Sequence, residues 1–140
     1  MMPEVSAERL FRTPPDVLHL FKPDMRPDTK RIASFLSYKK EDISAAANIP
    51  LSSVRFDERI PEALLERVKE WATAINLVGN FFQDERKTMF WFQTPNPLLG
   101  NITPKEMIRR GRFRKLLEFI QTALDETQPP TSGKEKQSAR

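Results

Sequence analysis

The stretch Trp91-Phe92-Gln93-Thr94-Pro95-Asn96-Pro97-Leu98-Leu99-Gly100-Asn101-Ile102-Thr103-Pro104-Lys105-Glu106-Met107-Ile108 is the most strongly punctuated part of this 140-residue chain. Thr94-Pro95-Asn96-Pro97 must stop any helix that carries Trp91 and Phe92, because neither proline has an amide to donate and each forces its predecessor to be extended. Thr103-Pro104-Lys105-Glu106 then predicts a new helix. Its hydroxyl can cap the free amides, proline sits at the first helical position, and glutamate three residues on completes a capping box. Gly111 supplies the stop after Met107 and Ile108. In the loop between, Asn96 can bond backbone groups, while Leu98 and Leu99 either pack inward or meet a partner.

Working outward, Asp84 can cap a helix over 85–93 that contributes Met89, Trp91 and Phe92. Before it lies the longest predicted helix, from Ile60-Pro61 to about Phe82. Leu64, Val68, Trp71, Ala72, Ile75, Val78 and Phe82 recur there at 3.6 spacing, and Leu65 and Leu77 broaden the stripe. Gly79 on the same side allows another backbone to come close. A face this wide is more easily filled by two neighbours, such as an intrachain helix and a second subunit, than by one. After Gly111, a helix from about Arg112 turns Phe113, Leu116, Leu117, Ile120 and Leu124 inward. Residues 127–140 are polar and proline-started, and read as a disordered tail.

Residues 1–27 hold Pro3, Pro14, Pro15, Pro23 and Pro27 around the apolar patch Val17-Leu18-His19-Leu20-Phe21, which predicts an extended arm that docks by its apolar residues. Within 28–58, Asp28 or Thr29 can cap a helix with Ile32, Phe35 and Leu36 on one face. A second helix, 39–47, places Ile43, Ala46 and Ala47 inward and ends at Asn48, which tolerates the left-handed conformation of a tight turn. Pro50 then opens a third, 51–56, with Val54 buried. That spacing is the helix-turn-helix arrangement. If the unit binds DNA, Ser52, Ser53 and Arg55 meet base edges, while Lys39, Lys40, Lys30 and Arg31 touch phosphate.

The chain is therefore expected to be all-α: a helix-turn-helix-like unit at 28–58 followed by a helical domain at 59–126. Zero cysteines and one histidine, His19, exclude disulfides, zinc ribbons, thiol nucleophiles and multi-histidine metal sites. Four scattered glycines exclude a phosphate-cradling loop. Carboxylates such as Glu66, Glu70, Asp84 and Glu85 fall without an acid/base or nucleophile constellation, so no catalytic residue, metal or cofactor is expected. The net charge of +4 is unremarkable, but its excess gathers around Arg109-Arg110-Gly111-Arg112-Phe113-Arg114-Lys115. Charged residues interrupt the first dozen positions, and the longest uncharged run is broken by prolines. Neither a signal peptide nor a membrane span is read, and a cytoplasmic protein is expected.

The 91–108 stretch also resembles the toxin-binding domain of Xre/ParS-like antitoxins. The family pattern is a tryptophan-led helix end, Thr-Pro-Asn-Pro, a glycine-containing loop, and Thr-Pro-x-Glu-Leu-Leu. More loosely the likeness runs from about Ile60 to Glu126. Here Gly100-Asn101 stands where many relatives have two glycines, Met107-Ile108 replaces the leucine pair, and the second helix of the preceding unit carries no basic cluster. The resemblance implies a type II antitoxin. A C-terminal domain would dimerise and hold a cognate toxin, most often an NAD-consuming RES-domain protein, while an Xre-like helix-turn-helix binds operator DNA. On this reading Asn96, Leu98, Leu99, Arg109, Arg110, Arg112 and Arg114 form part of the toxin surface. The alternative is a stand-alone dimeric DNA-binding regulator that uses the domain only to dimerise.

Overall fold

The computed structural model describes residues 13–127, and these contain six α-helices and no named strand. The helices are α1 (Thr29–Phe35), α2 (Lys40–Ala47), α3 (Glu62–Phe82), α4 (Glu85–Phe92), α5 (Pro104–Arg109) and α6 (Phe113–Thr127). The all-α expectation holds. Residues 1–12 and 128–140, which include part of the predicted arm and nearly all of the predicted tail, lie outside the described residues. Thr127, read as the start of that tail, instead ends α6.

The central element is α3. Its predicted stripe is buried throughout, with Leu64, Val68, Ala72 and Ile75 at 0% exposure and Trp71 at 1%, except that Phe82 at the C-terminal end is half-buried. All four of α1, α2, α4 and α6 pack against it. These helices of the same chain cover the stripe, while Leu65 and Leu77, which broaden it, stay half-buried. Each large apolar side chain so enclosed contributes about 1.5–3 kcal/mol by leaving water. Edge-on aromatic pairs join the layers, Tyr38 with Trp71 at 5.8 Å and Phe35 with Phe92 at 6.3 Å.

The described part of the N-terminal arm, 13–27, docks through buried Leu18 and Leu20, and it forms no named helix or strand. What fixes its register is polar. Asn76 is 1% exposed on α3, so burial obliges it to find partners. Its Nδ2 donates to Asp16 Oδ1 at 2.9 Å, and its Oδ1 accepts from the Leu18 amide at 3.4 Å. The Asp16 carboxylate also accepts the amides of Leu20 at 2.7 Å and Phe21 at 3.0 Å. One turn on, Asn80 Nδ2 donates to the Pro15 carbonyl at 3.0 Å. Between these two asparagines lies Gly79, where a Cβ would stand 2.9 Å from Leu18 Cδ1. The close approach read from this glycine is realised, and the visitor is the arm.

One predicted helix is absent. Residues 51–56 were expected to form the second helix of a helix-turn-helix, but only a single 3-10 turn, Leu51–Ser53, is present, and Val54 is extended. Six residues that include Ser52, Ser53 and β-branched Val54 cannot offset the cost of helix nucleation. The next residues are held in a competing turn, in which Asp57 accepts from the Arg55 guanidinium at 2.7 Å and from the Arg59 amide at 3.0 Å. The preceding turn is as read: Asn48 is left-handed at φ 57°, and Ser44 Oγ donates to the Ile49 carbonyl at 2.6 Å.

Burial works against ionisation of Asp16, but the hydrogen bonds from Leu20, Asn76 and Phe21 outweigh it and hold the carboxyl below its ordinary value of 3.8. A depressed folded pKa stabilises the fold above the unfolded value, and that contribution is lost as pH falls through the folded one. Asp16→Asn is expected to cost about 1–3 kcal/mol at neutral pH. It should also flatten the loss of stability below about pH 4 relative to the parent. Thermal melts of both proteins across that range check it, and parallel pH profiles would refute it.

Candidate functional site

Three exposed features stand out on this framework. The first is the 94–103 loop. Asn96 organises it: its carbonyl accepts the amides of Leu99 and Asn101, both at 2.9 Å, its side chain accepts from Leu98 N at 2.9 Å, and its own amide donates to Ile102 at 3.1 Å. The result is a short 3-10 turn, Pro97–Leu99, closed by an antiparallel bridge between Asn96 and Ile102. Leu99 packs against the core, whereas Leu98 is 79% exposed at the tip. Pro95 and Pro97 are exposed, so they shape the loop and do not fill the core. Gly100 and Asn101 are both left-handed, at φ 81° and 66°.

The second feature is a cleft of about 700 Å³ walled by the end of α2, the middle of α3 and the α5 to α6 junction. Arg67, Arg109, Arg110 and Arg114 line it with one carboxylate, Glu70. Thr103 Oγ1 caps α5 by accepting from the Glu106 amide at 3.1 Å, and Gly111 follows the helix at φ 79°. The reciprocal half of the predicted capping box is not formed. The Glu106 carboxylate turns instead to Arg109 at 3.3 Å and Arg110 at 2.9 Å. Arg109 also reaches Asp42 of α2 at 3.5 Å, and Arg67 is paired with Glu70 at 3.0 Å. Tyr38, whose hydroxyl donates to the Lys105 carbonyl, anchors the N-terminal end of α5. Burial pushes that phenol's pKa up.

Of the four arginines predicted between 109 and 114, three share this cleft and Arg112 lies outside it. Arg114 and Arg112 make no ion pair among the described residues. Arg67, which sequence reading did not single out, is brought in from the polar side of α3. No local signal marks it, because the cleft is made only when α2 and the α5 to α6 junction are brought beside it.

The third feature is a groove of about 500 Å³ in which Lys30, Lys40, Ser52 and Arg55 meet with Asp57. These residues come from the predicted DNA-contacting set. Ser53 is half-buried beside them, while Lys39 is exposed at the start of α2, its amide donating to Asp42 Oδ2 at 2.9 Å. Arg31 is placed elsewhere: it donates to the Leu18 carbonyl at 2.7 Å and pairs with Glu85 at 3.4 Å. Arg55 is held by Asp57, whose carboxyl the guanidinium hydrogen bond and the Arg59 amide pull down to about 2.

An apolar face was missed. Phe82, Phe90 and Trp91 line a shallow hollow flanked by Arg86 and Lys87, with Phe90 71% exposed. Phe90 lies off the face that carries Met89 and Phe92, and that offset was the available signal.

No protein-family model and no curated protein matches the chain. Among solved structures, it is similar to a chain of the crystal structure of the M. tuberculosis MbcT-MbcA toxin-antitoxin complex. The two share 18% identity with a TM-score of 0.47, over 72% of this chain and 94% of that one. No helix among the described residues is long and apolar enough to cross a membrane.

The loop geometry carries a direct test. An added Cβ at Gly100 meets nothing within 4 Å, so Gly100→Ala should cost only the conformational penalty of the left-handed region, about 1 kcal/mol. Asn101→Gly should stay within about 0.5 kcal/mol of the parent, since asparagine and glycine both accept that backbone. Chemical denaturation of the two variants checks this ordering, and the reverse order would refute it.

Proposed function

We propose that this protein is the antitoxin of a type II toxin-antitoxin module, a cytoplasmic protein that acts by binding and has no catalysis of its own. Its partner is a cognate toxin, of the NAD-consuming RES-domain class by resemblance. The reading rests on the ordered motif from Trp91 to Ile108. Its support in the structure is the rigid loop that this motif builds, which holds Leu98 out at 79% exposure. An exposed leucine on a fully hydrogen-bonded tip suits contact with a partner, because little ordering entropy is lost on docking. Within this proposal residues 28–58 form the DNA-binding unit and 59–126 the toxin-binding domain. Self-association would use the aromatic face around Phe90.

Co-expression with the neighbouring open reading frame tests the proposal. A stable complex and rescue of growth from the neighbour's toxicity are expected, and Leu98→Asp should weaken the complex. Failure of both complex formation and rescue would refute it.

A second reading, a stand-alone dimeric DNA-binding regulator, is favoured by one observation: Lys30, Lys40, Ser52 and Arg55 converge on a single groove. A gel shift on the protein's own upstream region tests it. Binding should weaken steeply with added salt, as phosphate contacts require, and Lys40→Glu with Arg55→Glu should abolish it. No shift for the parent protein would remove this reading.

A further inference from the structure

The arginine cleft differs from an ordinary solvated charged face in two respects. It is a concavity of about 700 Å³, within the range of about 300–1,000 Å³ that ligand-binding clefts occupy. Its charges are also unbalanced from within. Four guanidinium groups line it against Glu70, which pairs with Arg67, and two further carboxylates touch them, Glu106, divided between Arg109 and Arg110, and Asp42, which reaches Arg109. Arg114 has no carboxylate partner among the described residues. Apolar side chains line it as well, half-buried Phe113 and Leu117 of α6 and the alanines at the end of α2.

We propose that this cleft receives an acidic segment of a partner protein, with carboxylates on Arg67, Arg110 and Arg114 and an apolar side chain against Phe113 and Leu117. The arginines together with the apolar lining favour a peptide that carries carboxylates. Planar guanidinium forks match carboxylates two bonds at a time and are favoured at protein interfaces. A nucleic acid strand fits less well. Its continuous phosphates would meet Glu70 on the wall and Glu106 and Asp42 behind it, while Phe113 and Leu117 would lie against a charged backbone. This inference rests on the antitoxin reading, for which it specifies the chemistry of the partner's docking segment.

The test uses the full chain and a fluorescein-labelled synthetic peptide in which glutamate alternates with leucine, read by anisotropy. The peptide should bind, and Arg114→Glu or Arg67→Gln should each weaken it by about tenfold or more, equivalent to roughly 1.4 kcal/mol per tenfold. Lys22→Glu, exposed and outside the cleft, should leave binding unchanged. Circular dichroism of each variant confirms folding. The proposal is overturned if the cleft variants bind like the parent, if a lysine-leucine peptide binds equally well, or if duplex DNA displaces the acidic peptide from the arginine-dependent site. The two readings fail separately. A toxin complex indifferent to Arg114→Glu sinks the cleft and leaves the antitoxin standing. Arginine-dependent peptide binding without any toxin complex does the reverse.

Discussion

The buried face of a central helix can tolerate a polar residue only where a partner is delivered to it, and Asn76 of α3 imposes that condition on the segments around it. The partners come from the N-terminal arm, Asp16 and the Leu18 amide. Once the arm is so placed, Leu18 fills the space that Gly79 leaves open. The carbonyls of Leu18 and His19 then lie where Arg31 of α1 can receive their hydrogen bonds, and Arg31 extends the tie to Glu85 of α4. Three segments distant in sequence are thus located by one buried amide. Apolar contacts supply most of the stabilisation, but they are permissive about register, whereas these hydrogen bonds are not.

Much of this was legible in the sequence where the signal is local and redundant. The α3 stripe, the stop at Thr94-Pro95, the start at Thr103-Pro104 and the left-handed end at Asn48 each rest on a backbone requirement that few residues meet. The helix over 51–56 failed for the opposite reason. Pro50 and Val54 fit a helix start and a buried position, but only six residues separate Pro50 from Asp57, and a turn built by side-chain hydrogen bonds to Asp57 is cheaper than a helix of that length. Neither Asn76 as a polar hub nor Arg67 as a cleft residue could be read, since each depends on what another part of the chain brings to it.

The loop after α4 shows how glycine and asparagine can be exchanged at a left-handed position. Gly100 and Asn101 occupy consecutive left-handed positions, a pair of conformations that two glycines would satisfy without strain. Asparagine is the residue best able to take the second position, because its short polar side chain tolerates that backbone. Asn96, two bonds from its carbonyl and one from its side chain, keeps the turn closed whichever residue stands at 101.

Availability of charge also separates the two basic regions. In the Lys30 and Lys40 groove, the one arginine is already chelated by Asp57, so contact with a base edge requires that pair to open. The pair is exposed, and such interactions are weak and screened by salt. DNA could therefore compete for Arg55, but with a guanidinium that is not preorganised toward it. At the α5 to α6 junction the carboxylates are outnumbered, and the pairs they do form hold Arg109 and Arg110 in fixed positions along the cleft wall. There the internal acids position the cations without cancelling them. A surface of that kind recognises an anion by where its charge lies as well as by its sign.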